Sequence, residues 1–184
     1  AYAHGASGIV DNATVRGKAR DGVAIELLGS CGSAGEAELS RTFGLGGIGL
    51  FRTELPFLAD QRRPAEDELI AQYRQVLAGQ DGRPVNFRLL DVAASTLDPS
   101  QRTPERNPAM GARGVRGLLR NQEALRLQLR AILRAAAGTD QTGILVPFVS
   151  HVGDLQRVKA IVLEERVSLR KAKVDTAEHL LVAP

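Results

Sequence analysis

Short apolar segments alternate along this chain with segments that have the periodicity of helices. The clearest apolar run lies in residues 46–54, where glycines and apolar side chains give way abruptly to Arg52 and Glu54. Residues 85–91 repeat the arrangement, from an apolar run to a charged end. Apolar runs of this length are typical of parallel strands that are covered on both faces. The repetition predicts a parallel sheet with charged residues where its strands end.

Five segments are predicted to be strands, and four segments between them, with apolar residues every three or four positions, are predicted to be helices. The predicted strands are residues 23–28, 46–54, 85–91, 143–149 and 178–182. The predicted helices are residues 33–43, 64–79, 121–137 and 152–171. Four βα units and a fifth strand predict an α/β fold with right-handed crossovers. We interpret it as about the first half of a TIM-type (β/α) barrel, because a complete barrel takes about 250 residues. An open doubly wound sheet is the alternative.

The chain of 184 residues suits a single domain with a sizeable core. Its contents of 43% hydrophobic and 24% charged residues are ordinary for a globular protein and argue against disorder. Residues 1–22 are rich in Gly, Ala, Asn and Asp without periodicity, and we interpret them as a linker or lead-in arm. Residues 23–184 are then the N-terminal half of the barrel.

Several classes of function are disfavoured by the composition. No apolar run approaches the roughly 20 residues of a membrane span, and the N-terminus lacks the pattern of a signal peptide, so we expect a cytoplasmic protein. The single cysteine, Cys31, cannot form an internal disulfide and is expected to be a small buried or half-buried residue. Nucleic-acid binding is not expected, because the basic residues are dispersed and aromatic residues make up only 4% of the chain.

Arginines are expected to converge at the edge of the sheet where the strands end. The three are Arg52, Arg88 and Arg113. Arg116 follows on the same segment as the last of these. Guanidinium groups form paired hydrogen bonds with phosphate or carboxylate, so this edge predicts a site for a small anion that carries both groups. Glu54 and Asp91 are candidates for orienting the arginines. The alternative is a set of surface arginines with solvated head groups.

Three segments carry a resemblance to a known family. They are residues 47–54 (GIGLFRTE), 107–116 (NPAMGARGVR) and 129–135 (LRAILRA). They resemble the phosphoenolpyruvate-binding barrel of enzyme I of the sugar phosphotransferase system, one of the phosphoenolpyruvate-utilising enzymes. The resemblance runs from about residue 14 to residue 184. It implies that Arg52, Arg88 and Arg113 hold the phosphate and carboxylate of phosphoenolpyruvate, whereas Asn107 is assigned no contact.

The resemblance also implies an activity. In these enzymes a phosphoryl group passes from phosphoenolpyruvate to a histidine on a separate domain, and Mg²⁺ neutralises charge. The implied function is therefore the barrel portion of a phosphoenolpyruvate-protein phosphotransferase, with phosphoenolpyruvate and a phosphohistidine-bearing domain or carrier protein as partners. The metal-binding carboxylates and the catalytic cysteine of the family lie in the second half of the barrel. No catalytic residue and no metal ligand is therefore assigned here, and the ligands of Mg²⁺ are expected outside this chain.

Residues 88–96 depart from the family's pattern. Where the family has two glycines, an acid and a lysine after the arginine, this chain reads RLLDVAAST. The three histidines, His4, His151 and His179, do not lie in the family's phosphoacceptor motif and are expected to have surface or structural roles. These departures favour an alternative function, a degenerate relative that binds a phosphorylated metabolite or a partner protein without turnover. In either case a half barrel leaves sheet edges uncovered, so we expect a homodimer or a complementary half barrel.

Overall fold

The computed structural model describes residues 17–59, 63–97, 107 and 110–184, and these form short strands and flanking helices. The strands are β1 (Gly17–Lys18), β2 (Ala24–Ile25), β3 (Gly29–Cys31), β4 (Ile48–Arg52), β5 (Val85–Arg88), β6 (Thr142–Leu145) and β7 (Leu181–Ala183). The helices are α1 (Ala34–Thr42), α2 (Leu55–Ala59), α3 (Glu66–Gln80), α4 (Ala94–Leu97), α5 (Val115–Arg120), α6 (Gln122–Ala135) and α7 (Val152–Lys171). His4 and most of the predicted lead-in arm lie outside the described residues.

The central sheet has five strands in the order β3-β4-β5-β6-β7, and every neighbouring pair is parallel. The strand order thus follows the chain order, as it does in a (β/α) barrel, whereas the order reverses within a doubly wound sheet. Register aligns the C-terminal strand ends, because Arg52 pairs with Arg88 and Arg88 pairs with Leu145. The predicted α/β fold of four βα units and a fifth strand is confirmed.

Aromatic side chains fill the space between the sheet and helix α3. The rings of Phe51 and Phe87, on neighbouring strands, meet edge to face with centroids 5.5 Å apart. Tyr73 of α3 packs on Phe87 at 4.8 Å, and all three residues are fully buried. Such pairs add roughly 0.5–1.5 kcal/mol to the burial of their area. This packing fixes β4 and β5 relative to α3, and with them the positions of Arg52 and Arg88 at the strand ends.

Ion pairs connect the three long helices on the outer side of the sheet. Glu66 of α3 binds both Arg130 and Arg134 of α6 at 2.7 Å. Glu165 of α7 binds Arg126 of α6 at 2.6 Å. Partial burial opposes the charge of Glu66, but the hydrogen bonds from the two arginines outweigh it and lower the pKa of this carboxyl. The arginines of the 129–135 motif that project from this face therefore brace the helix layer.

No helix in the described part of the chain is long and apolar enough to cross a membrane.

The prediction of a sheet strand at residues 23–28 is wrong. Within that segment only Ala24–Ile25 is extended as a strand, and it pairs antiparallel with Gly17–Lys18 in a small ribbon. The first strand of the sheet is instead Gly29–Cys31, which pairs with β4. The apolar pattern misled the prediction, because the side chains of the ribbon are exposed while the small residues of β3 are held by parallel pairing. The domain boundary at residue 22 stays a prediction.

The long connection between β5 and α6 contains secondary structure in its described part. Helices α4 and α5 lie within it, and Ala93 forms an antiparallel bridge with Arg113. Three prolines of this connection, Pro99, Pro104 and Pro108, lie outside the described residues. The bridge brings the 110–116 segment back beside the end of β5. It is this return that carries a third arginine to the edge of the sheet.

Candidate functional site at the C-terminal edge of the sheet

Arg88 and Glu54 form the tightest pair at the C-terminal edge. Arg88 ends β5 and donates from Nε and Nη2 to Glu54 Oε1, at 3.1 and 2.6 Å. The backbone N–H of Asp91 donates to the same oxygen at 3.1 Å. The two side chains are only 24% and 12% exposed, so the pair is partly shielded from solvent. Charge-assisted bonds of this kind are strong and directional, and they fix the plane of the guanidinium.

Asp91 joins a second arginine to this pair. Its carboxylate accepts from Arg113 Nε at 2.7 Å and from Arg113 Nη2 at 3.3 Å. The same carboxylate also lies near Arg88, whose Nη1 is 3.7 Å from Oδ2. The hydrogen bond to Asp91, with its charge, raises the pKa of Arg113. Arg88 and Arg113 are therefore held side by side by a single carboxylate that is 10% exposed.

Phe148 supports Arg113 from the loop after β6. The Arg113 guanidinium carbon lies 5.4 Å from the centroid of the Phe148 ring, within the range of a cation–π contact. Phe148 adopts a positive φ of 59°, which is unfavourable for a residue with a bulky side chain. It faces Gly114, whose own φ is 55° and whose added Cβ would stand 3.2 Å from that of Phe148. The strained backbone of Phe148 therefore meets a glycine, which adopts positive φ without strain, next to Arg113.

Arg52 lies at the same edge but is held more loosely. It ends β4, and its Nη2 lies 3.5 Å from Glu36 Oε2, with both side chains about half exposed. A Cβ on Gly32 would lie 3.4 Å from the Arg52 guanidinium, so the absence of a side chain there leaves room for it. Arg52 therefore pairs with Glu36 and not with Glu54, the carboxylate two residues further along the chain. Of the three arginines, its side chain is the most exposed.

Arg116 plays a different part from its neighbour. Its guanidinium donates to the carbonyl oxygens of Met110, Gly111 and Phe148, at 2.9–3.3 Å. It also donates to Ser150 Oγ at 2.8 Å. These bonds tie the 110–116 segment to the loop after β6. Arg116 therefore fixes the loop that carries Arg113.

A buried polar layer lies directly beneath the edge. Thr53 Oγ1 donates to the carbonyl oxygen of Arg88 at 2.7 Å and accepts from Gln128 Nε2 at 2.7 Å. Gln128 Oε1 accepts from the backbone N–H of Leu90 at 3.1 Å. The Gln128 amide also lies 3.5 Å from the hydroxyl of Tyr73, whose pKa is raised by its complete burial. Sequence reasoning missed this layer, since a buried glutamine in an amphipathic helix carries no signal of its partners.

The loop after β5 uses its backbone donors internally. Leu89 N–H donates to the carbonyl of Leu145, and the next two N–H groups donate to Gln128 and Glu54. Ala94 N–H donates to the carbonyl of Ala112 at 2.7 Å. These four N–H groups are therefore committed to the protein. The segment does not present them as a backbone cradle for an anion.

Other candidate groups are placed as follows. Cys31 is buried, as predicted, and burial raises the pKa of its thiol, with a further contribution from Glu36. His151 and His179 are exposed, and Asn107 contacts Met110 through its backbone carbonyl. Among the described residues there is no group of three or more His, Cys, Asp or Glu side chains that could hold a metal ion. Glu54 and Asp91 are already engaged by arginines, so the described residues do not fit a Mg²⁺ site by themselves.

The fold and this edge together define an α/β domain of the (β/α)-barrel type, with arginines and carboxylates gathered at the C-terminal ends of its strands. The chain belongs to the family of the phosphoenolpyruvate-binding domain of phosphoenolpyruvate-utilising enzymes, whose family model matches residues 8–182. That domain is a TIM-type barrel, of which this chain contains a part. The predicted resemblance is confirmed.

Several curated proteins are similar to this chain in sequence. A multiphosphoryl transfer protein of Rhodobacter capsulatus is 36% identical over 156 residues, which cover 84% of this chain and 19% of the relative. A phosphoenolpyruvate-protein phosphotransferase of Bacillus sp. (strain S) is 34% identical over 175 residues, 95% of this chain and 30% of the relative. One from Listeria monocytogenes is 32% identical over 162 residues, 88% of this chain and 28% of the relative. The chain thus spans less than a third of each of these relatives.

Proposed function

We propose that this chain is the phosphoenolpyruvate-binding portion of a phosphoenolpyruvate-protein phosphotransferase that moves a phosphoryl group to a histidine on another domain. Arg52, Arg88 and Arg113 bind the phosphate and carboxylate of phosphoenolpyruvate, and Glu54 and Asp91 orient them. The observation that carries the proposal is the attachment of Arg88 and Arg113 to one carboxylate, Asp91, at the C-terminal edge of the sheet. Family membership supports phosphoenolpyruvate as the anion.

The geometry supports the binding of an anion by arginines that are oriented in advance. Arg113 uses Nε and Nη2 for Asp91, and among the described residues its Nη1 has no hydrogen-bond acceptor. Arg52 is about half exposed and only weakly paired, so its donors are available at small cost. Because the carboxylates already orient the arginine side chains, these side chains lose less conformational entropy when a ligand binds. An anion with two charged ends could then contact more than one guanidinium at once.

The arginines would also contribute to transfer. In the transition state of phosphoryl transfer, the phosphoryl group carries its charge on its peripheral oxygens. Catalysis therefore depends on positioning and on fixed positive charge. Guanidinium groups that are already held in place meet this demand without reorganisation. Mg²⁺, when bound, would neutralise further charge, and its ligands are proposed to come from outside this chain. The catalytic group on the acceptor is a histidine of a separate domain.

The proposed partners follow from the same assignment. A phosphohistidine-bearing domain or carrier protein receives the phosphoryl group. A second copy or a complementary half barrel covers β3 and β7, which lie at the two ends of the sheet order. Leu181 on β7 is 66% exposed, which supports such a cover. We further propose that the protein works in the cytoplasm, in sugar transport.

A second candidate function rests on the loop after β5. Four of its backbone N–H groups are used internally, and it has no glycine or lysine in residues 88–96. These observations favour a non-catalytic relative that binds a phosphorylated metabolite or a partner protein. In that case the arginine edge still binds an anion, but transfer does not follow.

Calorimetric titration with phosphoenolpyruvate, with and without Mg²⁺, tests the substrate. Arg52→Ala should abolish binding, whereas Arg157→Ala, on the first half of α7, should leave it unchanged. Transfer of a labelled phosphoryl group to an added histidine-bearing domain then separates the two candidate functions. Binding with transfer supports the enzyme, and binding without transfer supports the non-catalytic relative. Failure to bind at millimolar phosphoenolpyruvate would contradict the substrate assignment.

A further inference from the structure

Gln128 is a fully buried polar residue that links three elements of the fold. It projects from α6 and is 0% exposed. Its amide nitrogen donates to Thr53 Oγ1 after β4 and lies within 3.5 Å of the Tyr73 hydroxyl on α3. Its amide oxygen accepts from the N–H of Leu90 after β5. A buried amide is costly unless its hydrogen bonds are made, and here donor and acceptor are both used.

Arg88, Arg113, Glu54 and Asp91 form the arginine–carboxylate cluster. Each partner of Gln128 at a strand end is the neighbour in sequence of one of the two carboxylates. Thr53 immediately precedes Glu54, and its hydroxyl donates to the carbonyl oxygen of Arg88 at 2.7 Å. Leu90 immediately precedes Asp91, whose own N–H donates to Glu54. One side chain thus sets the backbone on both sides of the Arg88–Glu54 pair.

Gln80 provides a contrast within the same protein. It is also 0% exposed, and its amide nitrogen donates to the carbonyl of Ala37 at 2.6 Å. Its other partner is Ser40 Oγ, at 3.4 Å. These bonds join α3 to α1 and involve neither a strand end nor a charged residue. Gln80 therefore matches Gln128 in burial and in chemistry but not in its relation to the cluster.

We propose that Gln128 is a positioning residue for the arginine–carboxylate cluster. It holds the hydroxyl of Thr53 and the backbone N–H of Leu90 so that Glu54 and Asp91 meet Arg88 and Arg113 in the observed geometry. The consequence for ligand affinity rests on the proposed function, because it assumes that the cluster binds phosphoenolpyruvate. The positioning itself concerns only residues of this chain and does not depend on the ligand.

The test compares Gln128→Met with Gln80→Met. Both changes remove a buried amide and keep a side chain of similar length, and both should lower the free energy of unfolding. Two readouts then distinguish positioning from general stability. The first is the NMR signal of the Nε–H groups of Arg88 and Arg113, recorded without ligand, together with its rate of exchange with solvent. The second is the dissociation constant for phosphoenolpyruvate from calorimetry.

Gln128→Met should shift the Arg88 Nε–H signal and speed its exchange, and should weaken phosphoenolpyruvate binding about tenfold or more. Gln80→Met should leave both readouts unchanged. Thr53→Val should shift the same arginine signal. The Gln128→Met/Thr53→Val double variant should show less than the sum of the two effects, because Gln128 acts on the Arg88 carbonyl through the Thr53 hydroxyl. A native Arg88 signal in folded Gln128→Met, or an equal change in Gln80→Met, would overturn the proposal. If the unaltered chain binds no phosphoenolpyruvate, the proposed function fails, and the arginine signals still decide the role of Gln128.

Discussion

Glu54 holds Arg88 through a single carboxylate oxygen, which accepts from both Nε and Nη2 of the guanidinium. Because the pair is only partly exposed, Glu54→Ala leaves a shielded cation and the Asp91 N–H without their acceptor. We expect a loss of about 2 kcal/mol in the free energy of unfolding, measured by urea denaturation.

The matched control for this change is Glu164→Ala. Glu164 binds Arg126 at the same 2.6 Å, but its side chain is 58% exposed. An exposed ion pair contributes little, so this variant should lose less than about 1 kcal/mol. Equal losses in the two variants would show that the Arg88–Glu54 pair has no special weight in the fold.

Gly47 should tolerate no side chain, in contrast to Gly79. Gly47 has a φ of 155°, and a Cβ there would collide with the carbonyl oxygen and ring of Pro84. Gly79 lies in α3, and a Cβ there would meet nothing within 4 Å outside its own helix. Gly47→Ala should therefore destabilise the fold by more than about 1 kcal/mol, whereas Gly79→Ala should stabilise it by up to about 1 kcal/mol. Thermal unfolding measures both, and a neutral Gly47→Ala would contradict the close approach of Gly47 to Pro84.

The ion pairs of Glu66 should make stability depend on acid. The pKa of Glu66 is lower in the folded chain than its ordinary value of 4.5. Its charge therefore stabilises the fold fully above the ordinary value, and this contribution is lost as the pH falls through the lowered value. The difference in unfolding free energy between the unaltered chain and Glu66→Gln should shrink from about pH 6 to about pH 3.

Asp67→Asn is the control for the acid dependence. Asp67 is 88% exposed, and its Oδ1 lies 3.4 Å from Arg134 Nη1. An exposed pair contributes little, so Asp67→Asn should change the free energy of unfolding by less than about 1 kcal/mol at every pH measured. If the Glu66→Gln difference is equally flat across this range, the arginines of α6 do not stabilise the charged carboxyl.

Phe148 should show the reverse of the usual preference for alanine over glycine. Its φ of 59° suits glycine, so Phe148→Gly should be more stable than Phe148→Ala by about 0.5–1 kcal/mol. At Lys159, within α7, alanine should be more stable than glycine by about 1 kcal/mol. Chemical denaturation of the four variants gives the comparison. The usual order at position 148 would mean that the backbone there is not held in the left-handed region.

Most of the fold could be predicted from periodicity. The helix predicted at residues 152–171 has those bounds, and α1 and α6 differ from their predictions by no more than two residues at either end. The first sheet strand could not be found in this way. Gly29–Cys31 is short and has small side chains, and it is a strand because β4 lies beside it. The more apolar segment before it is mostly exposed, so apolar content alone pointed to the wrong residues.

The site could be predicted only in outline. Strand ends predicted that Arg52 and Arg88 share an edge, because register follows from parallel pairing. Which carboxylate pairs with each arginine depends on distances across the fold. Arg52 pairs with Glu36, although Glu54 is closer to it in sequence. The contacts of Phe148 with Arg113 and of Gln128 with Thr53 and Leu90 could not be predicted either, since neither residue type indicates its partners. The roles of Arg52, Arg88 and Arg113 in binding stay predictions.

The most direct test of the central claim is the affinity for phosphoenolpyruvate of Arg88→Lys and Arg83→Lys. Both variants keep the positive charge. Arg88 is the last residue of β5, whereas Arg83 lies two residues before its start and donates to the carbonyl of Leu45 at 3.1 Å. Lysine cannot reproduce the paired donors of a guanidinium. Calorimetry should show binding weakened about tenfold or more in Arg88→Lys and unchanged in Arg83→Lys. Equal affinities in the two variants and the unaltered chain would contradict the assignment of phosphoenolpyruvate to this edge.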